Sequence, residues 1–142
     1  MALLNLLQDQ LIRFEIGASL KRGSLPEVFE ALIADRIDCF PALRAHQEPA
    51  WHMFLAQLGA IAAHRAGLSE PPEDAATWQD IIGRLTRADF PNDEPWCLVA
   101  DDWSKSAFLQ PPVPDGVKLD KRCTRENSRF DVFTSRIVTH KK

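Results

Sequence analysis

Histidine is the residue type most often used as a metal ligand and as a general base, and three histidines lie near one another in this chain. His46, His52 and His64 are separated by 6 and 12 residues. This spacing fits no compact set of metal ligands on one helix face, and the His-Glu-x-x-His pattern of zinc hydrolases is absent. We therefore predict no metal site here, and we interpret His46 and His52 as structural histidines that hydrogen-bond locally.

Patterns for nucleophilic catalysis and for phosphate binding are also missing. The sequence has no Gly-x-Ser-x-Gly turn, and its six glycines are not clustered into a phosphate-binding loop. The acidic pairs Asp101-Asp102 and Asp93-Glu94 are candidates for acid–base work, but acidic pairs of this kind are typical of solvated turns and helix starts. We predict that the chain is not an enzyme, with no catalytic, cofactor-binding or metal-binding residue.

Tryptophans offer flat rings on which the bases of single-stranded nucleic acid can stack. Trp51 and Trp78 fall on apolar helix faces, so we assign both to the core. Trp103 is the one tryptophan expected to be exposed, and its acidic neighbours would repel a nucleic-acid backbone. The aromatic residues therefore predict no base-stacking surface.

The charges are divided unevenly along the chain. Residues 1–116 contain 9 Lys and Arg against 17 Asp and Glu, whereas residues 117–142 contain 8 against 3. A basic tail on an acidic body is either a contact for nucleic acid or simply a solvated terminus. The candidate nucleic-acid contacts are Lys118, Lys121, Arg122, Arg125, Arg129 and Arg136.

The cysteines and the apolar segments indicate the compartment. Cys39, Cys97 and Cys123 have no paired spacing, which predicts neither a disulfide framework nor a zinc motif, and an odd number of cysteines fits a reducing compartment. The leucine-rich first residues lack the basic start of a signal peptide. No apolar run approaches the ~20 residues that span a membrane. We expect a cytoplasmic protein without a membrane segment.

The length of 142 residues fits one domain, and its first elements can be read from the pattern. Residues 11–16 alternate apolar and charged side chains, which predicts a half-buried strand that pairs with residues 20–22 in a short hairpin. Ser24 and Glu27 form a capping box. Apolar residues at helical spacing then predict a first helix over about 25–36, with Ile37 on its apolar face.

Two more helices follow. Pro49 must lie in a first turn and Gly67 is a natural C-terminal cap, which predicts a helix over 48–66. Its inward stripe is Trp51, Phe54, Leu55, Leu58, Ile61 and Ala62. A third helix is predicted over 73–86, then a strand-type run over 96–100 and extended backbone over 108–114. The fold class is α+β, with a short N-terminal β-hairpin, three main helices and short extended segments.

Several segments of the chain also resemble segments of a known protein family, and they occur in the same order as in that family. They are Asn5–Arg13, Ser24–Leu32, Phe40–Gln47 with Ala50–Leu58, His64–Gly67, Glu94–Val99 and Ala107–Pro114. Together they resemble the amino-terminal part of CasA, the large subunit of the type I-E CRISPR surveillance complex Cascade. The similarity covers residues 5–114.

The resemblance implies a role in antiviral defence. CasA is a subunit without catalysis of its own that helps a crRNA-guided complex to recognise the protospacer-adjacent motif on foreign DNA and to stabilise the opened duplex. In such complexes RNA–DNA pairing reads most of the sequence. The implied partners are the other Cascade subunits, crRNA and target DNA, with recruitment of a helicase-nuclease expected only for full-length family members. No cofactor is implied.

The similarity ends near residue 116, where the charge reverses. We therefore predict a CasA-like N-terminal domain fragment over 1–116 and a divergent basic tail over 117–142, either disordered or translated from a shifted reading frame in a truncated gene. The alternative is a stand-alone small interaction or regulatory protein of the CRISPR complex, without DNA-reading activity. In a fragment, apolar faces that the rest of the subunit would cover predict self-association.

Overall fold

A β-hairpin precedes the helices in the computed structural model, which describes residues 4–100 and 107–109. Strand β1, Ile12–Ile16, pairs antiparallel with strand β2, Ser19–Gly23. The two turn residues, Gly17 and Ala18, both have positive φ angles, of 56° and 64°. This conformation matches the right-handed twist of the paired strands. The predicted hairpin is confirmed, with β2 one residue longer at each end.

Helix α1, Leu25–Ile33, begins at the predicted capping box. The Ser24 hydroxyl accepts from the Glu27 N–H at 3.4 Å, and the Glu27 carboxylate accepts from the Ser24 N–H at 2.6 Å. The helix ends three residues earlier than predicted, because Asp35 turns the backbone into the left-handed region with φ 52°. Ile37 therefore lies in the following loop, where it packs against the core from outside the helix.

Helices α2, Glu48–Arg65, and α3, Ala75–Arg84, complete the helical part. The bounds of α2 agree with the prediction to within one residue, and Gly67 follows it with a φ of 71°. Helix α3 is shorter than predicted at both ends. It begins after Asp74, whose carboxylate accepts from the backbone N–H and the hydroxyl of Thr77.

The core lies among the three helices and the segment before the hairpin. Leu25, Val28 and Ile82 are fully buried there. The segment before the hairpin joins the core through its backbone, since the Leu25 N–H donates to the Leu6 carbonyl at 2.7 Å. All of the described residues belong to one compact unit, Met1–Pro112. The α+β class predicted from the sequence is confirmed.

The segments after α3 differ from the prediction. Residues 94–96 form a short 3-10 turn, and Cys97 makes an isolated antiparallel bridge to Asn5, so the predicted strand over 96–100 is wrong. The backbone of Leu109 has a φ of 55° and lies in a turn, whereas extended backbone was predicted there. The rest of the 108–114 segment, the predicted boundary at 116 and the tail over 117–142 lie outside the described residues.

Candidate functional site

Helix α2 is apolar on most of its circumference, yet only part of that surface is buried. Leu55, Gly59 and Ala62 form the row that packs into the core. Ile61 was predicted to face inward, but 49% of its surface is exposed, because the buried row is centred on Gly59 and turns Ile61 away. Met53 is 61% exposed. The helix therefore has an outward surface on which apolar side chains meet solvent.

A groove of about 420 Å³ runs beside α2, between this helix, α1, α3 and the loop after α2. Phe29, Leu55 and Trp78 are among the large apolar residues that line it, and Ile33 and Leu68 are each 41% exposed. Its polar lining is limited to His52, Ser69 and Glu70. A volume of this size is in the range of ~300–1,000 Å³ that is usual for small-molecule pockets. The groove is the candidate binding site.

Gly59 determines how closely α2 approaches the floor of the groove. A Cβ atom at this position would lie 2.9 Å from Cε1 of Phe29 and 3.6 Å from Cη2 of Trp78. The two rings stack on each other with centroids 4.5 Å apart. The Trp78 indole N–H donates to the Pro72 carbonyl at 2.8 Å, which holds the ring in place. The floor of the groove is thus a fixed aromatic pair covered by a residue without a side chain.

A chain of aromatic contacts also involves α2. Phe40 packs edge-on against Trp51, with ring centroids 5.8 Å apart, and Trp51 stacks on Phe54 at 5.6 Å. Phe54 then meets Phe108, which lies against Trp96 at 6.4 Å. These rings join parts of the chain that are far apart in sequence into one cluster.

The sequence predicts that Trp51 and Trp78 belong to the core. Trp78 is buried as predicted, and Trp96 is buried too, with its indole N–H donating to the Thr86 hydroxyl at 2.9 Å. Trp51 is half-buried, and its indole N–H is buried without a hydrogen-bond partner in the described part of the chain. Trp103, the candidate exposed ring, lies outside that part.

The three histidines in the described part of the chain do not form a metal-binding cluster. His52 lies at the edge of the groove, with its Nε2 atom 3.9 Å from a Glu48 carboxylate oxygen and its ring edge-on to Phe40. His46 and His64 are exposed. Within residues 4–100 and 107–109, no group of three or more His, Cys, Asp or Glu side chains is arranged to hold a metal ion.

The two described cysteines are not activated as nucleophiles. The exposed Cys39 thiol donates to a Glu15 carboxylate oxygen at 3.4 Å, and this hydrogen bond to a negatively charged acceptor raises the thiol's pKa. Burial raises the pKa of the Cys97 thiol. Because the thiolate is the reactive form, both shifts reduce reactivity at neutral pH.

Of the two acidic pairs that were candidates for acid–base chemistry, the structure describes Asp93-Glu94. Asp93 has a φ of 58° and precedes the short 3-10 turn, and its carboxylate accepts from the Asn5 side-chain amide at 3.4 Å. Asp101 and Asp102 lie outside the described residues. The six basic tail candidates, Lys118, Lys121, Arg122, Arg125, Arg129 and Arg136, lie outside them too.

The groove itself was not predicted from the sequence. Its walls come from three helices and a loop, so no local motif marks it. The available signal was the run of small residues in α2, among them Ala56, Gly59, Ala60 and Ala63, which allows close approach of another chain segment.

Comparison of the chain with protein-family models, with curated proteins and with solved structures gives no match. Among the described helices, none combines the length and the apolar character needed to cross a membrane.

Proposed function

We propose that residues 5–114 are part of the amino-terminal domain of a CasA-type subunit, and that the chain is a non-catalytic component, or a truncated fragment of one, of a crRNA-guided CRISPR complex that recognises foreign DNA in the cytoplasm. On this proposal its partners are the other Cascade subunits and crRNA, and target DNA is contacted within the assembled complex. The described part then acts by binding protein surfaces.

The aromatic cluster is the observation that carries this proposal. Its rings come from three of the segments that resemble CasA: Phe40 with Trp51 and Phe54, then Trp96, then Phe108. Side chains that pack together constrain one another, because a change in the volume of one is felt by its neighbours. A likeness made of mutually contacting residues therefore supports common descent better than the same number of scattered matches.

The charge of the described part supports a protein-binding role for it. Residues 4–100 contain 14 Asp and Glu against 8 Lys and Arg. Several of the arginines are also engaged, for example Arg84, which pairs with Asp80 at 2.5 Å. An acidic surface repels a phosphate backbone. We therefore assign any direct contact with nucleic acid to the basic tail, through the six candidates Lys118, Lys121, Arg122, Arg125, Arg129 and Arg136.

Co-purification tests the proposal. The chain is expressed with the other Cascade subunits and crRNA in cells that lack CasA, and the complex is isolated through a tag on another subunit. Stoichiometric recovery of the chain supports the proposal, and its loss during washing contradicts it.

The second candidate is a small interaction or regulatory protein of the same complex. The open apolar groove on an acidic body favours it, because such a surface suits a protein partner and not DNA. In cells that contain full-length CasA, this candidate predicts that the chain displaces CasA and that the complex loses DNA binding. Incorporation that keeps DNA binding favours the first candidate.

A further inference from the structure

We propose that the outer edge of strand β2 binds an extended, acidic segment of a partner protein as an added antiparallel strand. In this arrangement Arg22 and Lys21 face acidic side chains of the segment, and Leu20 faces an apolar one. The inference concerns the hairpin and not the groove, and it does not depend on the proposed CRISPR function.

The outer edge of β1 is covered by the loop after α1. The Glu15 N–H donates to the Cys39 carbonyl at 3.0 Å, and the Glu15 carbonyl accepts from the Asp38 N–H at 2.9 Å. In an antiparallel pair, the backbone groups of two opposite residues either point at each other or both point away. Glu15 lies opposite Leu20, so the N–H and C=O groups of Leu20 also point away from the hairpin.

The outer edge of β2, in contrast, is open. The alternation along the strand also turns the backbone groups of Arg22 outward. Within residues 4–100 and 107–109, these outward groups of Leu20 and Arg22 have no hydrogen-bond partner. Both residues are exposed, Leu20 by 59%. An open edge of this kind accepts a further strand, with main-chain hydrogen bonds supplying affinity and side chains selecting the partner.

Two guanidinium groups lie together beside this edge. Arg13 and Arg22 are opposite each other in the hairpin, in the kind of pair in which side chains come closest. Like charges in this position destabilise a hairpin. Neither arginine forms an ion pair with a carboxylate in the described part of the chain. Glu15 is on the same face of the hairpin, but its carboxylate accepts from the Cys39 thiol.

The position of Arg13 favours a binding role for these charges. Charged side chains on an edge strand can serve only to prevent unwanted pairing. Lys21 and Arg22 are enough for that purpose, and it does not account for an arginine on β1 opposite Arg22. A carboxylate that binds both guanidinium groups replaces their repulsion by charge-assisted hydrogen bonds. The hairpin therefore carries a site for an acidic group directly beside an open strand edge.

The charges also decide which occupant the edge accepts. A second copy that paired through the same edge would bring Lys21 and Arg22 against the same residues of the other copy. The basic residues 117–142 would be repelled as well. A nucleic-acid backbone provides acceptors, but it has no row of N–H donors for the outward carbonyls of β2. An acidic segment of a protein supplies the carboxylates together with both kinds of backbone group.

Antiparallel pairing sets the order of residues in the segment. It is the slightly more stable arrangement per residue, and the segment then runs opposite to β2. The residue that faces Arg22 therefore comes first and is acidic. A second acidic residue follows and faces Lys21. An apolar, β-branched residue comes next and packs against Leu20.

Amide-resolved NMR of the full chain tests the edge. The probe is a peptide with blocked ends that contains Thr-Glu-Glu-Val-Thr. We expect saturable binding and slower hydrogen exchange of the N–H groups of Leu20 and Arg22. The N–H of Lys21 already points at β1, so it is the internal control and should change little. Unchanged exchange at Leu20 and Arg22 in the saturated chain overturns the added strand.

A peptide with the reversed core, Thr-Val-Glu-Glu-Thr, is the matched ligand control because it has the same composition and charge. In the antiparallel register it sets valine against Arg22 and glutamate against Leu20, so we expect several-fold weaker binding. The basic tail attracts both peptides equally. Equal affinities for the two peptides would mean that charge alone explains the binding, and the proposal would be wrong.

A charge reversal locates the binding site. Arg22→Glu should weaken binding of the first peptide by at least about ten-fold, the loss expected when hydrogen bonds between charged groups are removed. Arg65→Glu makes the same change at an exposed arginine on α2 and should leave the affinity unchanged. Equal weakening by the two substitutions excludes the hairpin as the site.

Arg22→Thr separates binding from folding. It removes the like-charge pair with Arg13 and introduces a residue that favours strands, so the midpoint of urea unfolding should rise. Peptide binding should weaken in the same variant. A lower midpoint overturns the proposal, because Arg22 would then support the fold of the free chain.

Discussion

The rings of Phe29 and Trp78 stack in the floor of the groove beside α2, with centroids 4.5 Å apart and planes inclined by 19°. Gly59 lies against this pair, and a Cβ atom there would be only 2.9 Å from the Phe29 ring. The pair is buried and Trp78 is held by a hydrogen bond, so neither ring can move freely. The missing side chain of Gly59 therefore sets the distance between α2 and α1.

We expect Gly59→Ala to lower the free energy of unfolding by about 1 kcal/mol. Overpacking a filled core costs about 1–3 kcal/mol, and the gain in helix propensity from glycine to alanine offsets about 1 kcal/mol of that. Urea denaturation followed by circular dichroism measures the difference.

Gly83→Ala is the matched control for this substitution. Gly83 is also a buried helical glycine, but the nearest atom to its added Cβ is Nη2 of Arg87 at 2.6 Å, the far end of an exposed, flexible side chain. That end can move at little cost, so we expect Gly83→Ala to stabilise the chain by up to about 1 kcal/mol. Effects of the same sign for the two substitutions would refute the role given to Phe29.

The cap of α3 should make stability depend on pH. Hydrogen bonds from the Thr77 side chain and backbone N–H lower the pKa of Asp74 below its usual value. A lowered carboxyl pKa stabilises the fold above the unfolded pKa, which is about 3.9, and this stabilisation is lost as the pH falls through the folded value. The stability difference between the chain and Asp74→Ala should therefore be largest near neutral pH and shrink in acid.

Chemical denaturation across this pH range measures the effect of Asp74. Glu73→Ala is the control, because Glu73 is an exposed acidic neighbour outside the cap. A difference for Asp74→Ala that stays constant with pH would mean that the charged carboxylate contributes nothing to the cap.

Cys39 should react slowly with alkylating reagents although it is exposed. The nearby Glu15 carboxylate accepts its S–H hydrogen bond and raises the thiol's pKa, so little thiolate is present at neutral pH. In a Cys123→Ser background we expect Glu15→Gln to speed reaction of Cys39 with iodoacetamide, followed by mass spectrometry. The buried Cys97 should react only after unfolding.

Glu73→Gln provides the control for the cysteine measurement, since Glu73 is absent from the groups that shift the Cys39 pKa. An equal rate change in both variants would show that Glu15 has no specific effect on the thiol.

The basic tail gives a prediction for DNA binding. If the six tail candidates contact phosphates, the affinity of the chain for duplex DNA should fall steeply as the salt concentration rises. The slope of log K against log salt concentration is then negative, and it should become less negative by about 0.9 for each contact removed. Gel-shift titrations compare the full chain with a variant that lacks residues 117–142. Unchanged affinity and unchanged salt slope in the shortened variant would exclude the tail as the contact.

The elements that the sequence predicted well are those with local signals at their ends. Ser24 with Glu27 marks the start of α1, and Pro49 and Gly67 bracket α2. The hairpin follows from the alternation of residues 11–16 and the turn signal of Gly17 directly after them. These signals act within a few residues, so they survive whatever tertiary structure surrounds them.

The features that the sequence did not predict depend on tertiary contacts. Helix α1 ends because the backbone of Asp35 adopts the left-handed conformation. Glycine is the residue that usually marks this conformation in a sequence, and no glycine is present there. The exposure of Ile61 follows from the packing of Gly59 against Phe29, and the groove needs α1, α2 and α3 in place together. Periodicity identifies an apolar face, but it does not say which part of that face a neighbouring helix covers.

Native mass spectrometry of the complex tests the central proposal most directly. The chain is produced with crRNA and the other Cascade subunits in cells without CasA, and the mass of the purified complex is compared with that of the complex made without the chain. We predict an increase by a whole multiple of 16.0 kDa, the mass of the chain. Identical masses for the two preparations would contradict the assignment of this chain to a CRISPR complex.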